Sequence, residues 1–193
     1  MYFALDPAVV EDKALSRRHF LKVGVMAILA SISPRLGFAT MDEPPSPHKS
    51  LSFYETHTGE SLETTYWAEG KYRSEALADI NHILRDYRTG EAKAIDTRLL
   101  DLLFAIRLKV RTQQPFHVIS GYRSPKTNAL LRRCGRGVAR NSLHMCGQAV
   151  DIRLPGCALT LLRRMAIDLR GGGVGYYPRP NFVHIDVGRV RYW

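Results

Sequence analysis

The chain has 193 residues, of which 45% are hydrophobic, enough for one domain with a sizeable core. Its formal net charge of +10 favours a polyanionic partner such as nucleic acid, anionic lipid or an acidic cell-wall polymer. The sequence contains no aromatic-basic RNA-binding motif, basic zipper or zinc-finger spacing, and its three cysteines leave room for at most one disulfide bridge.

Residues 1–39 have the order of an export signal. A twin-arginine motif at Ser16–Lys22 is followed by the apolar run Val23–Ser33 and by small residues at Gly37–Ala39. The apolar run is too short to cross a bilayer, which needs about 20 residues. We predict a signal peptide that directs export through the twin-arginine translocase. The mature protein is expected in the periplasm, without a stable membrane span. An amphipathic or buried helix is the alternative.

A polar, Pro-rich stretch, residues 40–50, is predicted to form a flexible mature N-terminus ahead of the folded domain, residues 51–193. Alternating apolar residues around Thr58–Glu60 predict a β-hairpin made of Leu51–Glu55 and Leu62–Trp67, with His57 as a solvated residue of its turn.

Helix and strand patterns then alternate along the chain. Apolar residues spaced by three and four predict a helix capped by Ser74 and running to Tyr87, and a second helix capped by Asp96 and running to Arg111. Further elements are predicted at Phe116–Ile119 (strand), Pro125–Arg133 (helix), Ala149–Ile152 (strand), Leu159–Leu169 (helix), and Val174–Tyr177 with Phe182–Val187 (hairpin). The expected fold is α+β, a small antiparallel sheet flanked by helices.

A candidate metal site lies within residues 142–151. His144 and Asp151 are metal-ligand types, and Gly147 between them permits a tight backbone path. Asp151 stands in an apolar strand, where a carboxylate is costly unless it is paired or bound to a metal. His184, in a second apolar strand, would complete a tripod. Two nitrogens and one oxygen suit Zn²⁺ and leave a fourth position for water.

These residues resemble a known superfamily. The pattern Ser142-x-His144-x-x-Gly147-x-Ala149-x-Asp151 matches the signature of the zinc D-Ala-D-Ala peptidases, the superfamily that includes the hedgehog signalling domain. The runs 120–128, 171–178 and 181–186 extend the match, and together they resemble the murein endopeptidase K family of periplasmic peptidoglycan hydrolases.

The resemblance implies roles for further residues. Arg123 would steady an oxyanion or a substrate carboxylate, with a structural salt bridge as the alternative. Ser142, Gln148 and Tyr176 would bind substrate, although Ser142 and Gln148 could instead cap the loop. Tyr177 could line the cleft with Tyr176, with a place in the core as the alternative for both. Arg132, Arg133, Arg136 and Arg140 would be either a solvated surface or a contact to stem-peptide carboxylates.

The general base is the point at which the sequence departs from the superfamily. Many members place an acid three residues before the last ligand or a histidine two before it, but this chain has Asn181 and Phe182 there. Asp186 is the replacement, either as a base that orients the water or as a carboxylate that holds His184.

The function implied by the resemblance is a zinc metallopeptidase that hydrolyses the cross-links between peptidoglycan stem peptides. Which linkage is cut stays open between D-alanyl-diaminopimelate and diaminopimelate-diaminopimelate. A carboxypeptidase that trims the stems is one alternative, and a wall-binding module stabilised by zinc but lacking a base is another. The export signal disfavours a nucleic-acid partner.

Overall fold

The computed structural model of the chain describes residues 48–135 and 138–193, which form one eight-stranded sheet with helices packed on it. The predicted signal peptide, residues 1–39, lies outside the described residues, as does the predicted N-terminal tether up to residue 47. The first strand begins at His48, so the last three residues of that predicted tether are part of the sheet.

The sheet has the strand order β3-β2-β1-β4-β5-β7-β6-β8. Most neighbours are antiparallel, but β1 pairs with β4 and β6 pairs with β8 in parallel. The strands are β1 (His48–Glu55), β2 (Ser61–Ala68), β3 (Lys71–Tyr72), β4 (Phe116–Ser120), β5 (Ala149–Arg153), β6 (Gly173–Tyr177), β7 (Phe182–Asp186) and β8 (Arg191–Tyr192).

Helices lie between the strands. They are α1 (Ser74–Ile83), α2 (Thr97–Val110), α3 (Pro125–Cys134), a short 3-10 helix (Leu143–Cys146) and α4 (Leu159–Leu169). Two of them begin at side-chain caps: the side chain of Asp96, the predicted cap, accepts a hydrogen bond from the backbone N–H of Arg98 at the start of α2, and Ser124 accepts one from Thr127 at the start of α3. In the residues that the structure describes, no helix has the length and the apolar character that a bilayer span requires.

The hydrophobic core lies on one face of the sheet, under α1, α2 and α4. Val150 and Ile152 of β5 and Val183 and Ile185 of β7 point into this core. Because side chains alternate along a strand, the residues between them point to the opposite face. Asp151 and His184 are therefore together on the face of the sheet that the helical core does not cover.

The α+β prediction is confirmed, with two differences in detail. The sheet is larger than predicted and is not purely antiparallel. The first helix ends at Ile83 rather than at Tyr87, and Ser74 is its first residue rather than its cap. The helix stops because the carbonyl of Leu84 accepts a hydrogen bond from the N–H of Tyr122 at 2.7 Å, a tertiary contact that local periodicity does not show.

Candidate metal centre

Three elements bring the predicted ligands together. His144 lies in the 3-10 helix, Asp151 in β5 and His184 in β7. Asp151 and His184 are directly opposite each other in the antiparallel β5–β7 pair. In such a pair facing side chains are neighbours, so the sheet register alone fixes two of the three positions.

The potential ligand atoms converge on one point. Nδ1 of His184 lies 2.8 Å from Oδ1 of Asp151 and 3.2 Å from Nε2 of His144. Nε2 of His144 lies 3.3 Å from the same oxygen of Asp151. All three side chains are almost fully buried, and the group could hold a metal ion. Two imidazole nitrogens and a carboxylate oxygen form a donor set that fits a first-row divalent metal.

Gly147 shapes the loop that delivers His144. Its backbone adopts φ +68°, a left-handed conformation that only glycine adopts at no steric cost. A Cβ atom at this position would also lie 2.3 Å from the carbonyl oxygen of Ala94. Since the loop must turn against the start of α2, any side chain here would push the ligand loop away from β5.

The second nitrogen of each histidine is occupied by the protein. Nδ1 of His144 donates to the backbone carbonyl of Gly121 at 2.7 Å, and Nε2 of His184 donates to Oδ2 of Asp186 at 3.0 Å. In the neutral form of each ring, which is the form that binds a metal, this hydrogen bond leaves the lone pair on the nitrogen that faces Asp151. Both imidazoles are therefore held in the tautomer that binds a metal.

Asp186 is fully buried behind His184 and away from Asp151. Its Oδ1 accepts hydrogen bonds from the backbone N–H groups of Gly173 and Gly188 and from Nη1 of Arg191. Its Oδ2 accepts from Arg191 and from His184. Burial acts to raise the pKa of Asp186, but its hydrogen bonds from His184 and Arg191 outweigh burial and hold the pKa well below its usual value. The carboxylate stays ionised.

The charges around His184 act in the opposite direction on its imidazole. Burial lowers the pKa of His184, but the hydrogen bonds to Asp151 and Asp186 outweigh burial and raise the pKa to about 9. In the absence of a metal the imidazole is therefore cationic at neutral pH. A metal cation bound to Nδ1 of His184 would take the place of the proton that faces Asp151.

Arg123 reaches the centre from the loop after β4. Its Nη2 lies 3.1 Å from Oγ of Ser120 and 3.4 Å from Oδ2 of Asp151, and its backbone N–H donates to the carbonyl of His144. Its Nε is buried and has no hydrogen-bond partner among the described residues. Burial lowers the pKa of Arg123, Asp151 opposes this effect, and the charge of Arg88 lowers the pKa further. The guanidinium keeps donors for an additional acceptor.

The predicted substrate-binding residues lie in different environments. Ser142 precedes the 3-10 helix, and its side chain makes no capping hydrogen bond. Gln148 donates to Oδ2 of Asp96, at the start of α2. Tyr176 packs against the core with Arg163 over its ring. Gln148 and Tyr176 thus turn towards the helical side of the sheet, and their roles in substrate binding stay predictions.

Trp193, which sequence reasoning did not select, stands beside the ligands and contacts Tyr177, which the sequence suggested as a lining residue of the cleft. Trp193 lies 5.4 Å, ring to ring, from His184, and its indole Nε1 donates to the hydroxyl of Tyr177 at 2.8 Å. The indole covers Gly175, where a Cβ atom would lie 2.6 Å from the ring. A glycine inside a strand is the signal that something packs closely on it, and here that group is Trp193.

The basic cluster near the ligand loop is exposed where the structure describes it. Arg132, Arg133 and Arg140 lie on the surface, whereas Arg136 is outside the described residues. Asn181, one of the two residues at the positions where related peptidases carry a base, has φ +58° in the β6–β7 turn. Asparagine tolerates this conformation better than most residues, so the turn explains its presence.

The chain is similar to known proteins over most of its length. The family model described as "Peptidoglycan L,D-endopeptidase MepK" matches residues 44–193. The protein of that name from Escherichia coli strain K12 is 44% identical over 178 residues, which cover 92% of this chain and 97% of the relative. A protein from Haemophilus influenzae named "Probable peptidoglycan L,D-endopeptidase MepK" is 37% identical over 179 residues, covering 92% and 95%.

Proposed function

The chain belongs to the peptidoglycan L,D-endopeptidase MepK family, and we propose that it hydrolyses peptide cross-links of peptidoglycan at a metal held by His144, Asp151 and His184. The observation that carries the proposal is the convergence of three ligand atoms from His144, Asp151 and His184. The second ring nitrogen of each histidine is already hydrogen-bonded to the protein. In a site arranged in this way, both imidazoles are already oriented for a metal.

Zinc is the metal that we propose. Its donor set in catalytic sites is histidine nitrogen with carboxylate oxygen, and it keeps one position open when the protein supplies three ligands. When bound, zinc would lower the pKa of a coordinated water to about 7 and polarise the carbonyl of the scissile amide. The carboxylate of Asp151 would balance part of its charge.

We propose that Arg123 stabilises the oxygen that becomes negative as the amide is attacked. Its guanidinium is buried, held by Ser120 and Asp151, and retains an unpaired Nε. A fixed cationic donor in a site that excludes water stabilises developing charge more than one in water does. The cost of orienting this side chain is met during folding rather than during the reaction.

For Asp186 the two roles left open by the sequence differ in what the hydrogen bonds permit. Both of its oxygens are engaged, and it faces His184 on the side away from Asp151. Removing a proton from water would require this carboxylate to give up at least one of these bonds. We therefore assign Asp186 as a positioning residue that fixes the tautomer and orientation of His184.

The proposed substrate places the protein outside the cytoplasm. The twin-arginine motif Ser16–Lys22 and the run that follows it support export through the twin-arginine translocase to the periplasm. The L,D designation of the relatives supports a cut between an L-centre carbonyl and a D-centre amine, as in a diaminopimelate-diaminopimelate cross-link.

Digestion of purified sacculi tests the function. Separation of the products should show that zinc-loaded protein converts cross-linked muropeptide dimers to monomers with intact stems. Shortened monomers with unchanged dimers would instead identify a carboxypeptidase. Sedimentation of the protein with sacculi, without any released product, would identify a binding module.

A further inference from the structure

Three side chains on the loops that follow β1 and α1 form a stacked column. The rings of His57 and Tyr87 are stacked at 3.9 Å with an interplanar angle of 12°. The guanidinium carbon of Arg88 lies 4.2 Å from the centroid of the Tyr87 ring. A guanidinium over an aromatic face is attracted by the ring and held in one orientation.

The base of the column is fixed by a buried acid. Glu55 accepts hydrogen bonds from Nδ1 of His57 at 3.0 Å and from the backbone N–H groups of His57 and Thr58. Its side chain is 4% exposed, so this is a built contact rather than a surface ion pair. His57 is exposed in the turn after β1, as the sequence predicts, and its ring also supports the Tyr87 ring.

A second buried acid ties the column to the loop of Arg123. Asp86 accepts from the backbone N–H of Arg88 with Oδ1 at 3.0 Å and from the backbone N–H of Ser124 with Oδ2 at 2.9 Å. The Asp86 carboxylate therefore holds both Arg88, whose guanidinium is exposed, and Ser124, the neighbour of the buried Arg123. The hydrogen bond from Tyr122 to the carbonyl of Leu84 closes the same contact.

The result is two guanidinium groups held on neighbouring loops. Among the described residues the guanidinium of Arg88 has neither a hydrogen bond nor an ion pair, and its side chain is exposed. An unpaired guanidinium on a loop that Asp86 ties to the loop of Arg123 offers a site for an anion.

We propose that Arg88, held on the Tyr87–His57 column, binds a carboxylate of the peptidoglycan stem peptide beside the metal centre. The inference rests on the proposed function for the identity of its ligand. Stem peptides carry several free carboxylates, and a planar guanidinium binds a carboxylate through two parallel hydrogen bonds. Arg88 would thereby select the stem that enters next to Arg123.

Equilibrium binding of an uncross-linked stem tripeptide ending in diaminopimelate tests the proposal, because this peptide contains no cross-link to cleave. The zinc-loaded full chain is titrated with the free-acid tripeptide and with the same peptide after amidation of every carboxylate. We expect Arg88→Gln to weaken binding of the free acid about tenfold and to leave binding of the amide unchanged. Arg88→Lys should recover part of the loss.

Arg164→Gln is the matched control, since it removes an exposed cation from α4, the helix on the opposite face of the sheet. It should leave both affinities unchanged. Equal affinity of the wild type for acid and amide, or an equal loss on both peptides in Arg88→Gln, would overturn the proposal. Cleavage of dimers by the wild type is scored separately. Its absence, with Arg88-dependent binding intact, would remove the proposed function and keep this site.

Discussion

Nε2 of His184 lies 3.0 Å from Oδ2 of Asp186, on the side of the imidazole away from Asp151. This hydrogen bond leaves Nδ1 of His184 free to face His144 and Asp151. Asp186 is itself held by Arg191 and by two backbone N–H groups. The position of the metal-facing nitrogen is thus determined by a chain of contacts that ends at the last strand of the sheet.

Asp186→Asn should lower the affinity for zinc by about 10- to 100-fold, because the amide no longer holds the imidazole as an ionised partner does. Competition with a chromogenic chelator measures the change. Asp168→Asn, which removes an exposed acid paired with Lys109, is the control and should leave the affinity unchanged. Unchanged zinc affinity with a large fall in kcat would instead identify Asp186 as the general base.

Zinc affinity should depend on pH through His184. The pKa of this imidazole in the metal-free protein is raised to about 9 by Asp151 and Asp186 against the effect of burial, so at lower pH zinc must displace a proton. The apparent affinity should therefore fall roughly tenfold per pH unit as the pH decreases below about 9. Isothermal titration in buffers of different ionisation enthalpy measures the released proton. Proton release near zero at neutral pH would contradict this assignment.

Gly175→Ala should displace Trp193, since the new Cβ atom would lie 2.6 Å from its indole ring. The ring would leave His184 and lose its hydrogen bond to Tyr177, at a cost of about 1–3 kcal/mol of stability. We expect Gly175→Ala and Trp193→Ala to reduce kcat/KM on muropeptide dimers alike, and the double variant to be no worse than either. Gly135→Ala, where a Cβ atom would come no closer than 3.4 Å to its nearest neighbour, is the control. Additive effects would show that the two residues act independently.

Arg123→Gln should lower kcat on muropeptide dimers by about 10²-fold while one zinc still binds, because its proposed action is on the developing oxyanion. Arg123→Lys should restore part of the rate, since a charge remains without the fixed fork of donors. Single-turnover kinetics separate this loss from weaker substrate binding. A rise in KM at constant kcat would indicate instead that Arg123 holds a substrate carboxylate in the ground state.

Local pattern was sufficient to predict the hairpin of β1 and β2, the helix Leu159–Leu169 and the strands that carry Asp151 and His184. These elements have strong periodicity or clear turn residues, and their local preferences agree with the fold. The predicted end of α1, at Tyr87, was wrong because the N–H of Tyr122, far along the chain, donates to the carbonyl of Leu84.

The candidate site was predictable where residue type alone indicates chemistry, as for two histidines and an aspartate in apolar strands. Trp193 and Arg88 were not selected because tryptophan and arginine are common in cores and on surfaces. Only strand alternation separates Tyr177 from Tyr176, and only the parallel pairing of β8 with β6 brings the last residue beside His184. Such relationships depend on the register of distant strands.

The most direct test is product analysis of cross-linked muropeptide dimers after treatment with the protein as purified, with a chelator, with zinc restored, and with His184→Ala. We predict dimer cleavage that the chelator stops, that zinc restores and that His184→Ala lacks under every condition. Cleavage by His184→Ala at the wild-type rate, or intact dimers after treatment with wild-type protein that binds one zinc, would contradict a metallo-endopeptidase built on His144, Asp151 and His184.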